Sequence, residues 1–174
     1  FEDFPPNTFE QWMEKVEKEL KGKKFNDLAQ RSRAEDIYLE PLFTELDGEL
    51  QKQQEKIEWL MSYKSSNEWE ILENNRSMAR PRIDISEYHN KGANATQELA
   101  IAISRGNAFL SMQTEGEKSV DDAVRGLEFH FAIGGDFLLE LAKFRAFRLV
   151  WASVLQQYQP QNSKTYFAKI SAET

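Results

Sequence analysis

The chain has 174 residues, 40% hydrophobic and 29% charged, enough for a domain with a core of its own, and no stretch reaches the roughly 18 consecutive apolar residues of a membrane span. It has no cysteine, which excludes disulfides, thiolate nucleophiles and thiolate-bound metals, and its formal charge of −7 disfavours nucleic acid, whose phosphates are met by clustered Lys and Arg. Neither nucleic acid nor a membrane is therefore expected as a partner, and the N-terminus, without a basic, apolar, then small-residue leader, suits a cytoplasmic setting.

Pro5 and Pro6 favour an extended entry, Asn7 or Thr8 can cap a first helix, and Glu10 supplies an acidic first turn. Phe9, Trp12, Met13, Val16 and Leu20 recur at helical spacing up to a stop at Gly22, an apolar stripe that needs a cover. The basic run Lys21-Gly-Lys-Lys24 reads as a solvated helix end. Phe25 and Leu28 predict a short second helix, Ile37 to Phe43 extended chain ended by Pro41, and Asp47 to Tyr63 a Gln-, Glu- and Lys-rich helix. Trp69 to Leu72 reads as a short strand. Asn74 to Pro81, with two Asn, two Arg and a Pro, breaks helix and strand alike and marks a junction.

Arg82 to Ser86 alternates as a strand, and Ala95 to Met112 predicts one long helix with Leu99, Ala102, Ile103 and Phe109 on its apolar side. Ser119 caps a helix from Val120 to Leu127, with Asp121 and Asp122 in the first turn where the dipole favours them. A strand from Glu128 to Ile133, a long helix and a last strand from Thr165 to Ser171 follow. Strands separated by helices too long for hairpins imply parallel pairing and an α/β architecture.

The candidate sites are modest. His130, between Phe129 and Phe131 on a strand, points away from both and reads as a packed or hydrogen-bonded histidine. Glu98 with Glu128, or Asp84 with Glu87, could be posed as acid/base pairs, but surface carboxylates are the simpler reading. Gly134-Gly135 could cradle a phosphate, yet Asp136 would repel it, so a turn and helix cap is expected. Trp12, Trp59, Trp69 and Trp151 read as core or interface residues. Within the long apolar helix, Glu140 and Lys143 are three apart, as are Arg145 and Arg148, so each pair can share a face and seek separate partners. They are expected to be packing and interface contacts.

Phe4-Pro-Pro-Asn-Thr-Phe-Glu-Gln-Trp12, Val16-Glu-Lys-Glu-Leu-Lys-Gly22 and Pro41-Leu-Phe-Thr44 resemble the start of the methylmalonyl-CoA mutase family, especially its small subunit. Tyr88-His89, Gly92-Ala93, Gln97-Glu-Leu-Ala100, Ser119-Val-Asp-Asp-Ala123, Phe131-Ala-Ile-Gly134 and Ala142-Lys-Phe-Arg-Ala-Phe-Arg-Leu-Val-Trp-Ala152 carry the resemblance through the second half. It implies a (β/α)8 TIM-type barrel with an N-terminal arm that packs on a partner. Residues 1–45 would be that arm and 46–174 a partial barrel. Trp69 to Leu72 resembles the first barrel strand, and Ile83 to Ser86, Glu128 to Ile133 and Thr165 to Ser171 the sixth, seventh and eighth. Strands two to five have no counterpart, the jump falling at Asn74 to Pro81. Such a half barrel has open edges, so a partner or a compensating dimer is expected.

The resemblance also bears on chemistry. The family's cobalamin motif is Asp-x-His-x-x-Gly, which Glu87-Tyr-His-Asn-Lys-Gly92 imitates with Glu in place of Asp; His89 is better read as a barrel-mouth or structural histidine. Where the family has a His-Cys-Gln-Thr run touching the thioester carbonyl, this chain has Ser171-Ala-Glu-Thr174. Where it has a substrate-binding arginine, this chain has Gly126, with Arg125 one residue out of register. No catalytic, cofactor-binding or metal residue is assigned. The implied role is a noncatalytic, small-subunit-like part of an isomerase, with adenosylcobalamin held by the complex and the mutase large subunit, or a second copy, as partner. The other reading is a stand-alone assembly module that dimerises through the half barrel.

Overall fold

The computed structural model describes residues 7–32, 37–42, 52, 54–59 and 81–174. The chain divides into two compact units, Phe1–Gly48 and Glu49–Thr174. The expected strand at Trp69 to Leu72, the junction from Asn74 to Arg80 and most of the helix from Asp47 to Tyr63 lie outside the described residues; 52 and 54–59 are helical.

In the first unit, helix α1 (Phe9–Glu19) starts at Thr8, whose hydroxyl accepts from the Gln11 amide at 3.3 Å while the Gln11 side chain accepts from the Thr8 amide at 3.1 Å. This reciprocal box satisfies two otherwise orphaned donors. Lys21 and Gly22 then turn the chain with positive φ, and residues Phe25–Leu28 form a 3-10 turn rather than an α-helix. Trp12 stacks on Phe9 and meets Phe25 edge-on, yet α1 buries no residue: Phe9 and Trp12 stay exposed. Strands β1 (Gln30–Ser32) and β2 (Ile37–Leu39) pair antiparallel.

The second unit is built on β3 (Arg82–Asp84), β4 (Glu128–Ala132) and β5 (Lys169–Glu173), all parallel, in the order β3-β4-β5. Between β3 and β4 lie α2 (Ser86–Asn90), α3 (Ala95–Glu115) and α4 (Val120–Arg125); between β4 and β5 lie α5 (Phe137–Tyr158) and a 3-10 turn, Ser163–Tyr166. This is the predicted parallel α/β pattern and is compatible with part of a barrel.

Two strand boundaries differ from expectation. The first strand ends at Asp84, because its carboxylate accepts from the Ser86 amide (3.0 Å) and hydroxyl (2.6 Å), folding the chain directly into α2. The last strand begins at Lys169 and not Thr165, because Asp121 gathers the Gln161 amide (3.0 Å), the Asn162 amide (3.2 Å) and the Thr165 hydroxyl and winds that segment into a turn.

Strand alternation sorts the sheet into two faces. Ile83, Phe129, Phe131 and Ile170 face the helices. There Phe129 meets Phe147 and Trp151 edge-on, each at 4.8 Å between centroids, and Phe131 meets Phe147 at 5.1 Å. Gly106 lets α3 approach: a Cβ there would sit 2.6 Å from Trp151 Cζ3 and 2.9 Å from Phe129 Cζ.

Two outcomes follow. Gly106→Ala must displace packed aromatic rings and is expected to cost about 1–3 kcal/mol in urea unfolding. The Thr165 hydroxyl first, and then the Gln161 and Asn162 amides, hold the Asp121 carboxyl below its ordinary range against the opposing effect of burial. A lowered folded-state value means stability present above the unfolded value near 4 and lost as pH falls through the folded one. Asp121→Asn should therefore melt below wild type at pH 7, with the gap closing as the pH drops below about 4.

Candidate functional site

The opposite face of the sheet is polar. The register aligns Arg82 with Glu128 and Lys169, and Asp84 with His130 and Ser171. Ser171 Oγ donates to Glu128 at 2.7 Å and lies 2.9 Å from His130 Nδ1. His130 Nε2 lies 3.2 Å from the Glu173 carboxylate, within ion-pair reach though without hydrogen-bond alignment. Lys169 sits 3.3 Å from Glu128 and Arg82 3.1 Å from Asp84. Burial opposes ionisation of Glu128, but Ser171 and Lys169 outweigh it and hold the carboxyl low. For Asp84 burial is likewise overcome by Ser86, then Arg82 and His130. His130, read as a packed histidine, is buried and hydrogen-bonded.

At the C-terminal end of β4 a second polar group is sealed on the helix side. Lys143 of α5, its side chain wholly buried, donates to Glu98 at 3.0 Å and to the Ala132 carbonyl at 3.2 Å. It also lies 2.7 Å from Glu140, close enough for ion pairing but without hydrogen-bond alignment to that oxygen. The other oxygen of Glu98 is 2.8 Å from Nδ1 of His89 in α2, a half-buried ring. Gly134 closes the group: a Cβ there would meet Glu140 Oε1 and His89 Cε1, each at 3.3 Å. Three segments, α3, α5 and the end of β4, thus converge on one ammonium, and α2 joins them through Glu98.

Several proposed pairings are not built. Glu98 and Glu128 lie on opposite sides of the sheet with separate partners, and Glu87 is exposed beside Lys91, away from the contacts of Asp84. Arg125 is exposed on the last turn of α4 and pairs with Asp122 at 3.1 Å, while Gly126 caps that helix. Tyr88 lies under the Arg105 guanidinium, 4.9 Å from its ring centroid, and accepts a hydrogen bond from it. Asp136 caps α5 by accepting from the Leu139 amide at 3.1 Å, so Gly134-Gly135 serve a turn and cap as read. Trp151 is core, Trp59 packs edge-on against Tyr166, and Trp69 lies outside the described residues. The groove between α3 and α5, lined by Leu99, Ile103, Val150 and Val154, holds no charged side chain.

Glu98 was missed as the partner of Lys143. The signal was available: Glu98 heads the row Ala102, Gly106, Leu110, so a carboxylate stands on the buried side of α3. As for a corrin, the motif spacing offers Glu87 as the acid orienting His89, but the structure gives that place to Glu98 and leaves Glu87 in solvent. The motif's acid–histidine pair is not formed, and the residues present do not fit such a group.

Parallel strands joined by long helices, with one polar face and an ion cluster at the strand ends, make an α/β chain compatible with part of a barrel. The family model for methylmalonyl-CoA mutase matches residues 62–174, and the chain belongs to that family. It is 36% identical over 94 residues to a methylmalonyl-CoA mutase of Rhizobium meliloti, covering 53% of this chain and 13% of that protein. It is 38% identical over 94 residues, with the same coverage, to a methylmalonyl-CoA mutase large subunit of Streptomyces virginiae. A probable methylmalonyl-CoA mutase small subunit of Mycobacterium tuberculosis is 37% identical over 81 residues, 47% of this chain and 13% of that protein. The chain thus aligns with only 13% of the length of these relatives. No helix among the described residues is long and apolar enough to cross a membrane.

Lys143→Met would leave Glu98 and Glu140 buried without their cation and should cost about 3–5 kcal/mol in denaturant unfolding. Adding Glu98→Gln and Glu140→Gln to the same variant should recover part of that loss.

Proposed function

We propose that this chain is a noncatalytic, small-subunit-like portion of an adenosylcobalamin-dependent methylmalonyl-CoA mutase, supporting a catalytic large subunit that carries out the isomerisation of methylmalonyl-CoA and succinyl-CoA. One observation carries the reading. The position that the resemblance assigns to the thioester-binding histidine is Ser171, and its hydroxyl is engaged by Glu128 and His130 within the sheet. Polar side chains that would line a substrate channel are instead matched to one another across the three strands. The uncovered stripe of α1 supports the partnership, since Phe9 and Trp12 remain exposed beside Met13, Val16 and Leu20.

On this reading the cofactor belongs to the complex and the setting is cytoplasmic. A specific feature favours a second reading: β3 and β5 are both edges of the described sheet, so a second copy could dock there.

The purified chain with added adenosylcobalamin should give no succinyl-CoA and no change in corrin absorption, and it should co-sediment with the mutase large subunit from the same source. Turnover by the chain alone would sink the proposal. A stable homodimer indifferent to the large subunit would favour the second reading.

A further inference from the structure

The hydrogen bonds around His130 fix where its proton sits. Ser171 has one hydroxyl proton and gives it at 2.7 Å to Glu128, whose carboxyl Ser171 and Lys169 hold low against burial, so the acceptor is an ionised carboxylate. The Ser171 oxygen, 2.9 Å from His130 Nδ1, is therefore left to accept, and Nδ1 must carry a hydrogen. In a neutral ring the other nitrogen is then a bare lone pair. That atom, Nε2, is buried without a hydrogen-bond partner among the described residues, and it stands 3.2 Å from the Glu173 carboxylate.

Two acceptors in contact repel, whereas one added proton turns the same contact into a charged hydrogen bond. The Glu173 side chain is 40% exposed and so has room to swing into line. The surroundings supply counter-charge. From β3, Asp84 stands beside His130 in the register, and Ser86, Arg82 and then His130 hold its carboxyl low against burial. The cations on this face are engaged elsewhere, Arg82 with Asp84 at 3.1 Å and Lys169 of β5 with Glu128 at 3.3 Å. The titratable groups of α2 are also turned away: Glu87 pairs with Lys91 in solvent, Tyr88 lies under Arg105, and His89 binds Glu98 on the helix side. Burial penalises a charge on the His130 ring, and Asp84 and Glu173 are the two carboxylates that offset the penalty.

We infer that His130 is a proton-operated latch on the last strand: with both ring nitrogens protonated it holds Ser171 and Glu173 of β5 at once, and on losing the Nε2 proton it lets Glu173 go. The strand end under its control also carries a backbone link, since the Ile133 amide donates to the Glu173 carbonyl at 2.8 Å. The Glu173 bond exists only in the folded chain and only with the proton present. It therefore strengthens the attachment of β5 at the acid end of the histidine range and is lost as the pH rises. The lowered carboxyls of Asp84 and Glu128 lose their contribution in the opposite direction, on acidification below about pH 4. All of these contacts lie within one chain, so the latch is independent of the subunit reading.

Imidazole nitrogen NMR of the full chain, with hydrogen exchange at the Ile133 amide, tests the latch between about pH 5.5 and about pH 8. In wild type, Nδ1 of His130 should keep its hydrogen throughout while Nε2 gains one as the pH falls. The Ile133 protection factor should be roughly tenfold higher at the acid end, the factor that loss of a charged hydrogen bond implies. Glu173→Gln supplies a side-chain amide that donates to a neutral Nε2, so its protection should be flat across the same range and should exceed that of wild type at the alkaline end. The substituted side chain is half-exposed, so the variant should fold as wild type does. A neutral ring with its hydrogen on Nε2, wild-type protection that does not change with pH, or a pH dependence that survives in Glu173→Gln would each overturn the latch.

Discussion

The ammonium of Lys143 is the point on which the larger unit hangs. A charge that deep is tolerated only where its partners are held at contact distance, and here they come from separate pieces of chain: Glu98 from α3, Glu140 from α5 itself and the carbonyl of Ala132 from the end of β4. The lysine must also cross an aromatic layer, and its ammonium lies 5.9 Å from the Phe131 ring centroid and 5.5 Å from that of Phe144. Because Glu98 also holds His89, the orientation of α2 depends on the same cluster, though α2 never touches the lysine directly.

Much of the second unit was legible from periodicity. Five elements, β3, α3, α4, β4 and α5, appear where alternation and helical spacing put them, because a core on one side and solvent on the other imposes those periods. The misses have a common origin. Asp84 and Asp121 each redirect the backbone through side-chain hydrogen bonds, which shortened the first strand and delayed the last, and such local competition leaves no periodic trace. The site was harder still. Residues separated by 45 positions, Glu98 and Lys143, meet only because the helices pack side by side, so neither shows its partner in the local sequence. The four charges of α5 were read as two pairs, and the structure separates them sharply: Glu140 and Lys143 inside, Arg145 and Arg148 in solvent.

The two faces of the sheet use different physics for one end. The helix face is joined by edge-to-face aromatic rings, which tolerate small displacements. The opposite face is joined by direct side-chain contacts across strands, with Ser171 linked to both Glu128 and His130 and Glu173 reaching the same histidine. Such contacts need the register to be right to within one residue, since a slip would carry every polar group to the helix side.

The spacing along the two long helices has a further meaning. Glu98 and Gly106 are eight residues apart on α3, and so are Lys143 and Trp151 on α5; the first of each pair meets the first, and the second meets the second. The helices therefore engage like a key with two teeth, one ionic and one steric, cut to the same pitch. Adding or removing a single residue between the teeth on either helix would turn one of them by about 100° and leave a buried charge facing apolar wall or an indole facing side chain. Point changes there disturb one tooth at a time, whereas a change of length disturbs the fit of both.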